Sequence, residues 1–196
     1  MPAIETLGSV TVLCTDKTGT ITENKMILNE IYAAAKSHKL SEEALPEEFH
    51  SLIEFAVLAS KEDSFDPMEK AITQIVSLNL IDSEHVHKDW KLIQEYPLSK
   101  ELSAMSMAWS SSEQEEYSFY SKGSPEAIFN LCHLSDDEIK SLITVVEEMA
   151  SRGLRILGVA KSKAKSQSLP STQHDIDFEF CGLLGFFDPI RSGVKE

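Results

Sequence analysis

Cys14-Thr15-Asp16-Lys17-Thr18-Gly19-Thr20 is the stretch on which the reading of this chain turns. It follows Val10-Thr11-Val12-Leu13, an apolar, β-branched run that predicts a buried strand. An Asp at the carboxyl end of such a strand stands where ligands meet an open α/β sheet. Gly19 lets the chain turn away, and Thr18 and Thr20 offer hydroxyls. The pattern suits a carboxylate nucleophile that attacks a phosphoryl group and becomes an aspartyl phosphate. A bare Asp-x-x-Gly reads far more readily as an ordinary strand-to-turn junction, because Asp, Thr and Gly are common turn residues.

Outward from that motif, 196 residues allow one domain or one and a half. A hydrophobic content of 42% lets the chain bury a core, and 26% charged residues is ordinary for a soluble protein. The net charge of −14 argues against binding nucleic acid or an anionic membrane as the main task. Cys14, Cys132 and Cys181 are far apart and lack metal-ligand spacing, which reads as reduced thiols in a cytosolic setting. No stretch approaches the roughly 18 apolar residues of a bilayer span. Met1-Pro2-Ala3 does not open a signal peptide.

Met26 to Tyr32 reads as a strand leaving the first motif. Ser41 to Leu58 reads mostly as helix, with Ser41 as N-cap, Glu42 and Glu43 in the first turn and Pro46 as a candidate break. Asp66-Pro67-Met68-Glu69 opens a second helix to about Leu80: Asp66 caps, Pro67 takes the first helical position, and Glu69 the capping-box position. Strands follow at Trp90–Tyr96, Ala104–Trp109 and Glu116–Tyr120, with a hairpin tip at Ser110–Glu115. Ser124-Pro125-Glu126 starts a short helix, and Ser135 to Glu138 caps a longer one ending at Arg152-Gly153. Arg155 to Val159 is a strand, Lys161 to Asp175 a polar loop, and Phe180 to Phe187 the last strand. The middle is thus helices and an antiparallel sheet whose two ends must meet, the pattern of a domain inserted between two strands of another.

Asp16-Lys17-Thr18-Gly19-Thr20-Ile21-Thr22 resembles the phosphorylation motif of the P-type ion-transporting ATPases. Those enzymes are similar to the haloacid-dehalogenase superfamily in their phosphoryl chemistry. The resemblance implies that Asp16 accepts the γ-phosphate of ATP, that the Thr18 carbonyl and Asp16 ligate magnesium, and that Lys17 offsets charge near the phosphate. Asp66-Pro67-Met68-Glu69-Lys70-Ala71 resembles the family segment in which the Glu hydrogen-bonds the adenine amino group, implying that role for Glu69 beside Asp66. Ser121-Lys122-Gly123-Ser124-Pro125-Glu126 resembles the family's Lys-Gly-Ala-Pro-Glu, which places Lys122 and Gly123 at the adenosine pocket. Without that context, Lys122 reads as a solvated lysine before a capped helix.

Gly153-Leu154-Arg155-Ile156-Leu157 resembles the family strand whose Arg approaches the ATP phosphates, a contact suited to a forked guanidinium. Asp188-Pro189-Ile190-Arg191 resembles the family hinge, in which the Asp touches ribose or hinge backbone and the Arg helps to hold the nucleotide. In many relatives an aromatic ring stacks on adenine; here that position holds Leu98, and Tyr96 is the nearest ring that could substitute. A stacked ring is worth on the order of 1 kcal/mol, so nucleotide affinity is expected to be weak. No His precedes a Pro, unlike the heavy-metal branch, and the motif set looks most like bacterial calcium-type pumps.

The resemblance implies an α/β fold: an antiparallel sheet flanked by helices, residues 26–186, inserted into a truncated Rossmann-like phosphorylation domain. Residues 1–25 and 187–196 are then stubs of that second domain. It implies ATP and Mg2+ as cofactors, and as partners the actuator, phosphorylation and membrane domains of a parent pump, at the cytoplasmic face of the plasma membrane. Neither nucleic acid nor direct membrane insertion is expected. The family's later Thr-Gly-Asp and Thr-Gly-Asp-Gly-x-Asn-Asp segments do not occur before Glu196, so the chain is expected to bind ATP without hydrolysing it. Two alternatives stand beside this. A haloacid-dehalogenase-type phosphatase normally carries a second Asp where this chain has Thr18. A non-catalytic nucleotide-sensing or docking module would need no phosphate chemistry at all.

Overall fold

The structure, a computed structural model, describes residues 11–12, 14–40, 45–61, 64–79, 89–111, 116–164 and 169–194. The expected caps at Ser41 to Glu43, the helix end at Leu80 and the hairpin tip at 112–115 lie outside them. The chain divides into two compact units, Met26–Phe187 and the pair Met1–Lys25 with Asp188–Glu196.

In the larger unit seven strands form one sheet: β1 (Ile27–Ala33), β2 (Lys36–Lys39), β3 (Trp90–Tyr96), β4 (Ala104–Ser111), β5 (Tyr117–Gly123), β6 (Arg155–Ala164) and β7 (Glu179–Phe187). Their order is β2-β1-β7-β6-β5-β4-β3, and every neighbouring pair is antiparallel. The antiparallel sheet and flanking helices expected from sequence are therefore present. Four helices accompany it among the described residues: α1 (His50–Leu58), α2 (Pro67–Asn79), α3 (Pro125–Leu131) and α4 (Asp136–Ser151).

Alternation along the strands sorts the helices into two layers. Met105, Met107, Trp109 and Tyr120 point to the face that carries Phe55 and Ala59 of α1 and its end. Ala104, Ala108 and Phe119 point to the other, against Ile128 and Leu131 of α3. Between Leu28 and Glu30 the β1–β7 register slips by one residue. That bulge lets Leu28 and Ile31 both join the α1–α2 core, while Glu30 turns to the opposite face. There its side chain, 3% exposed, takes a 2.7 Å ion pair from Arg152 at the end of α4.

The helix termini follow their local chemistry. Asp66 Oδ1 accepts from the Met68 and Glu69 amides at 2.7 and 3.2 Å. Ser124 caps α3, and Ser135 with Glu138 forms a full capping box on α4. Gly153 ends α4 at φ +79°.

Four expectations are corrected. Thr11 and Val12 are not in a strand and Val12 is 74% exposed, while Val10 and Leu13 lie outside the described residues. β2 is an addition to the expected strands: Ala34 and Ala35, at φ 49° and 59°, make its hairpin turn without Asn or Gly. β6 continues to Ala164, because Lys161 to Ala164 pair with Tyr120 to Tyr117 despite their polarity. Pro46 precedes a 3-10 turn, Glu47–Phe49, which leads into α1.

Candidate functional site

A cavity of about 510 Å3 opens on the α1–α2 face of the sheet. Its apolar wall is Met68, Leu98, Met105 and Leu157, and its polar groups include Asp66, Glu69, Lys122 and Lys61. Five of the residues singled out from sequence, Asp66, Glu69, Leu98, Lys122 and Gly123, thus line one space.

Two of them are bonded at its base. The Lys122 ammonium donates to Glu69 Oε1 and to Ser60 Oγ, and Ser60 passes a 2.7 Å bond to the Ala56 carbonyl. The side chains of Lys122 and Glu69 are 5% and 8% exposed. Burial pushes the Lys122 ammonium below its ordinary value of 10.5, and the bond to Glu69 pulls the other way. Glu69 Oε2 is buried and has no hydrogen-bond partner. A buried acceptor left unpaired costs about 1–3 kcal/mol, more when charged, so this atom is suited to a donor brought by a ligand.

The capping-box role expected of Glu69 is not formed. Its carboxylate turns inward to Lys122, and the Asp66 amide donates instead to Ser64 Oγ at 3.0 Å. β5 can present Lys122 so deep because Gly123 lets β4 pass close by. A Cβ there would stand 2.4 Å from the Ser103 carbonyl oxygen and 2.6 Å from Ala104 Cα. Gly123 is thus required by strand packing.

Tyr96 does not face the cavity. Its ring lies in the core on the α3 side of the sheet, and its hydroxyl donates to the Pro170 carbonyl at 2.8 Å. Leu98, past the end of β3 and 60% exposed, is the residue of the two that reaches the cavity wall. Arg155 is exposed, two residues along β6 from Leu157 and therefore on the same sheet face.

Ser60, Lys61 and Ser64 escape a sequence reading, because none belongs to a motif. Lys61 sits at the cavity paired with Glu95 at 2.9 Å. A larger cavity of about 790 Å3 lies around Phe55, Trp90, Tyr120 and Lys161. It holds none of the motif residues, and Lys161 is already engaged, 5.2 Å over the Phe55 ring and 3.6 Å from Glu179.

The smaller unit carries the first motif. Lys17–Ile21 wind into a turn around Gly19, at φ +78°. Asp16 is exposed, and its Oδ1 accepts from the Lys17 amide at 2.7 Å. Asp188 Oδ2 accepts from Thr22 Oγ1 at 2.6 Å and Oδ1 from the Lys25 amide at 3.3 Å. Arg191 donates to the Thr22 and Gly19 carbonyls at 2.9 and 3.0 Å. Asp188 and Arg191 thereby bond the segment that follows Asp16, Asp188 through the Thr22 hydroxyl and the Lys25 amide and Arg191 through two backbone carbonyls. The Asp16 carboxylate and Thr18 carbonyl are hard oxygen donors of the kind magnesium takes, two towards a usual six. Among the described residues no group of three His, Cys, Asp or Glu could hold a metal ion.

Residues 54–193 match the family described as P-type ATPase, cytoplasmic domain N. Over 96% of its length the chain is 31% identical to a protein named as a cation-transporting ATPase in Methanocaldococcus jannaschii, of which it covers 20%. It is 24% identical over its whole length to a calcium-transporting ATPase of Bacillus subtilis, covering 26% of that protein. With a calcium-transporting ATPase of Listeria monocytogenes it shares 28% identity over 99% of its length and 24% of the relative's. The chain therefore belongs to the P-type cation-transporting ATPases and carries their cytoplasmic N domain. It spans about a fifth to a quarter of the length of these relatives. No helix among the described residues is long and apolar enough to cross a membrane.

Proposed function

We propose that the cavity beside Lys122 binds ATP, with the adenine amino group donating to Glu69 Oε2. The observation that carries this reading is the unpartnered buried oxygen in a cavity lined by the motif residues. Lys122 holds the other oxygen of Glu69 and fixes the carboxylate's direction. Leu98 covers the base by apolar contact, and Arg155 is the cation for the phosphates. Affinity is weak, above the low-micromolar range, because no ring stands at the position of Leu98.

In the whole pump, Asp16 attacks the γ-phosphorus of ATP. A carboxylate oxygen bonds to phosphorus, the bond to the β–γ bridging oxygen breaks, and ADP leaves. Asp16 and Thr18 would hold the magnesium, whose charge offsets the phosphate oxygens, and Lys17 adds to that charge. Names of the relatives favour cation transport of the calcium type. By themselves, these residues bind ATP and leave it intact, since Asp16, Lys17 and Thr18 are the only phosphoryl-transfer groups that the resemblance assigns here.

Titration of the chain with ATP, followed by NMR, tests the binding. Shifts centred on Lys122, Glu69 and Leu98, with a dissociation constant of tens of micromolar or weaker, are expected. Unperturbed signals at Lys122 and Glu69 at millimolar ATP would instead make the chain a docking module.

A further inference from the structure

We infer that Ser60 is a positioning residue of the adenine site: its hydroxyl holds the Lys122 ammonium to one oxygen of Glu69 and so keeps the other open to the base. The inference rests on the reading of the cavity as an adenine site. Ser60 is 7% exposed and is not part of the cavity wall, so it acts through Lys122 and not on the ligand.

The hydroxyl is fixed from two sides. Its proton goes to the Ala56 carbonyl at 2.7 Å, which leaves only lone pairs towards the ammonium. Its backbone is held as well. The Ser60 amide donates to the Val57 carbonyl at 2.8 Å, and the indole of Trp109 on β4 donates to the Leu58 carbonyl at 2.7 Å. The end of α1 is thereby fastened to the sheet, and Ser60 stands at a set place beside Lys122 of β5.

An ammonium carries three N–H donors and accepts nothing. One donor of Lys122 goes to Glu69 Oε1 and another to Ser60 Oγ. Glu69 Oε2, on the same carbon as Oε1, stays unpartnered. A buried donor left unpaired is costly, so an ammonium that lost Ser60 turns its freed N–H to the spare oxygen beside the one it already holds. Once taken by Lys122, Oε2 is no longer offered to an amino group in the cavity. Ser60 thus sets how the carboxylate is shared, one oxygen to the protein and one to the ligand.

Calorimetric titration of the full chain with ATP and with GTP, for wild type, Ser60→Ala, Ser60→Thr and Glu69→Ala, tests this. Ser60→Ala weakens ATP about fivefold and leaves GTP within about twofold, so the preference for ATP falls towards parity. The retained GTP affinity also reports that the cavity is still formed. Ser60→Thr keeps the hydroxyl and restores the preference. Should Ser60→Ala fail to fold, Ser60→Cys, of similar size and with a much weaker acceptor, takes its place. A lower unfolding midpoint would accompany any structural role; a changed preference would not. A preference within about twofold of wild type, whether both nucleotides weaken or neither does, overturns the assignment. So does an equal loss of preference in Ser60→Thr, since the hydroxyl is then not what matters. If Glu69→Ala loses the preference while Ser60→Ala keeps it, the role of Ser60 fails alone. If wild type ignores millimolar ATP, or prefers neither nucleotide, the adenine-site reading falls and takes this inference with it.

Discussion

Lys122 of β5 and Glu69 of α2 form an ion pair almost wholly removed from water, and only one of the two Glu69 oxygens is used in it. Desolvating two charges costs roughly what their attraction returns, so such a pair is weak evidence for stability. Its geometric effect is plainer. The lysine locks one oxygen and leaves the other facing a cavity.

Removing the carboxylate strands the ammonium. Glu69→Ala is expected to lower the unfolding free energy by about 3–5 kcal/mol, read from urea denaturation. The double change Glu69→Leu with Lys122→Met should recover most of that loss while abolishing ATP binding. A single variant within about 1 kcal/mol of wild type would count against a buried pair.

Base selectivity should follow from the same oxygen. Adenine offers an amino donor where guanine offers a carbonyl, and two facing acceptors cannot pair. ATP is expected to bind at least about tenfold more tightly than GTP, a difference of roughly 1.4 kcal/mol. Glu69→Ala should narrow the gap to about twofold. Equal affinities in wild type would contradict the role of Glu69.

Two glycines separate crowding from backbone strain. Gly123→Ala drives a Cβ into the Ser103 carbonyl and the Ala104 backbone, at an expected cost of about 3 kcal/mol. Gly153→Ala meets nothing within 4 Å and carries only the strain of φ +79°, about 1 kcal/mol. Denaturation midpoints in the reverse order would show that β4 does not press on β5 at Gly123.

Arg152→Ala leaves the Glu30 carboxylate buried without its ion pair. Arg152 is itself 40% exposed, so the expected loss is about 2 kcal/mol. An unchanged urea slope with a lower midpoint is the signature to look for.

Alkaline pH should destabilise the fold. Burial pushes the thiols of Cys132 and Cys181 from 9.0 up to about 12. Between those values the unfolded chain has lost thiol protons that the folded chain keeps, so stability falls as pH rises above 9. The Tyr120 hydroxyl, raised from 10.0 to about 12 chiefly by burial, adds to the fall above pH 10. Lys122, with its value lowered, has the opposite sign and partly offsets the loss just below 10.5. Cys132→Ala with Cys181→Ala should flatten the curve between about pH 9 and 11, measured by melting at each pH.

Local chemistry made much of this fold readable. Asp66-Pro67 and Ser135 to Glu138 announce helix starts because a cap is satisfied by its own next turn. Glu69 misleads as a cap partner for the converse reason. Its carboxylate answers to a lysine 53 residues away, and no local rule carries that information. Lys36–Lys39 escapes because an edge strand of charged residues has no apolar alternation. Lys161 to Ala164 escape because β5 supplies the pairing that their composition does not suggest. The motifs located Lys122, Glu69 and Leu98 around one cavity. They gave no hint of Ser60, and they left Tyr96 open until the sheet showed which face it takes.

The pairing of Ile27 with Phe187 sets the two ends of the seven-stranded unit side by side, at one strand spacing of about 4.8 Å. For any chain that carries it, the whole unit is then a loop whose mouth is already shut. The entropy of closing a loop is charged against its flexible length, and here that length is almost nil. A short peptide joining Phe187 to Met26 should accordingly circularise the unit without strain, and new ends could be opened between β4 and β5.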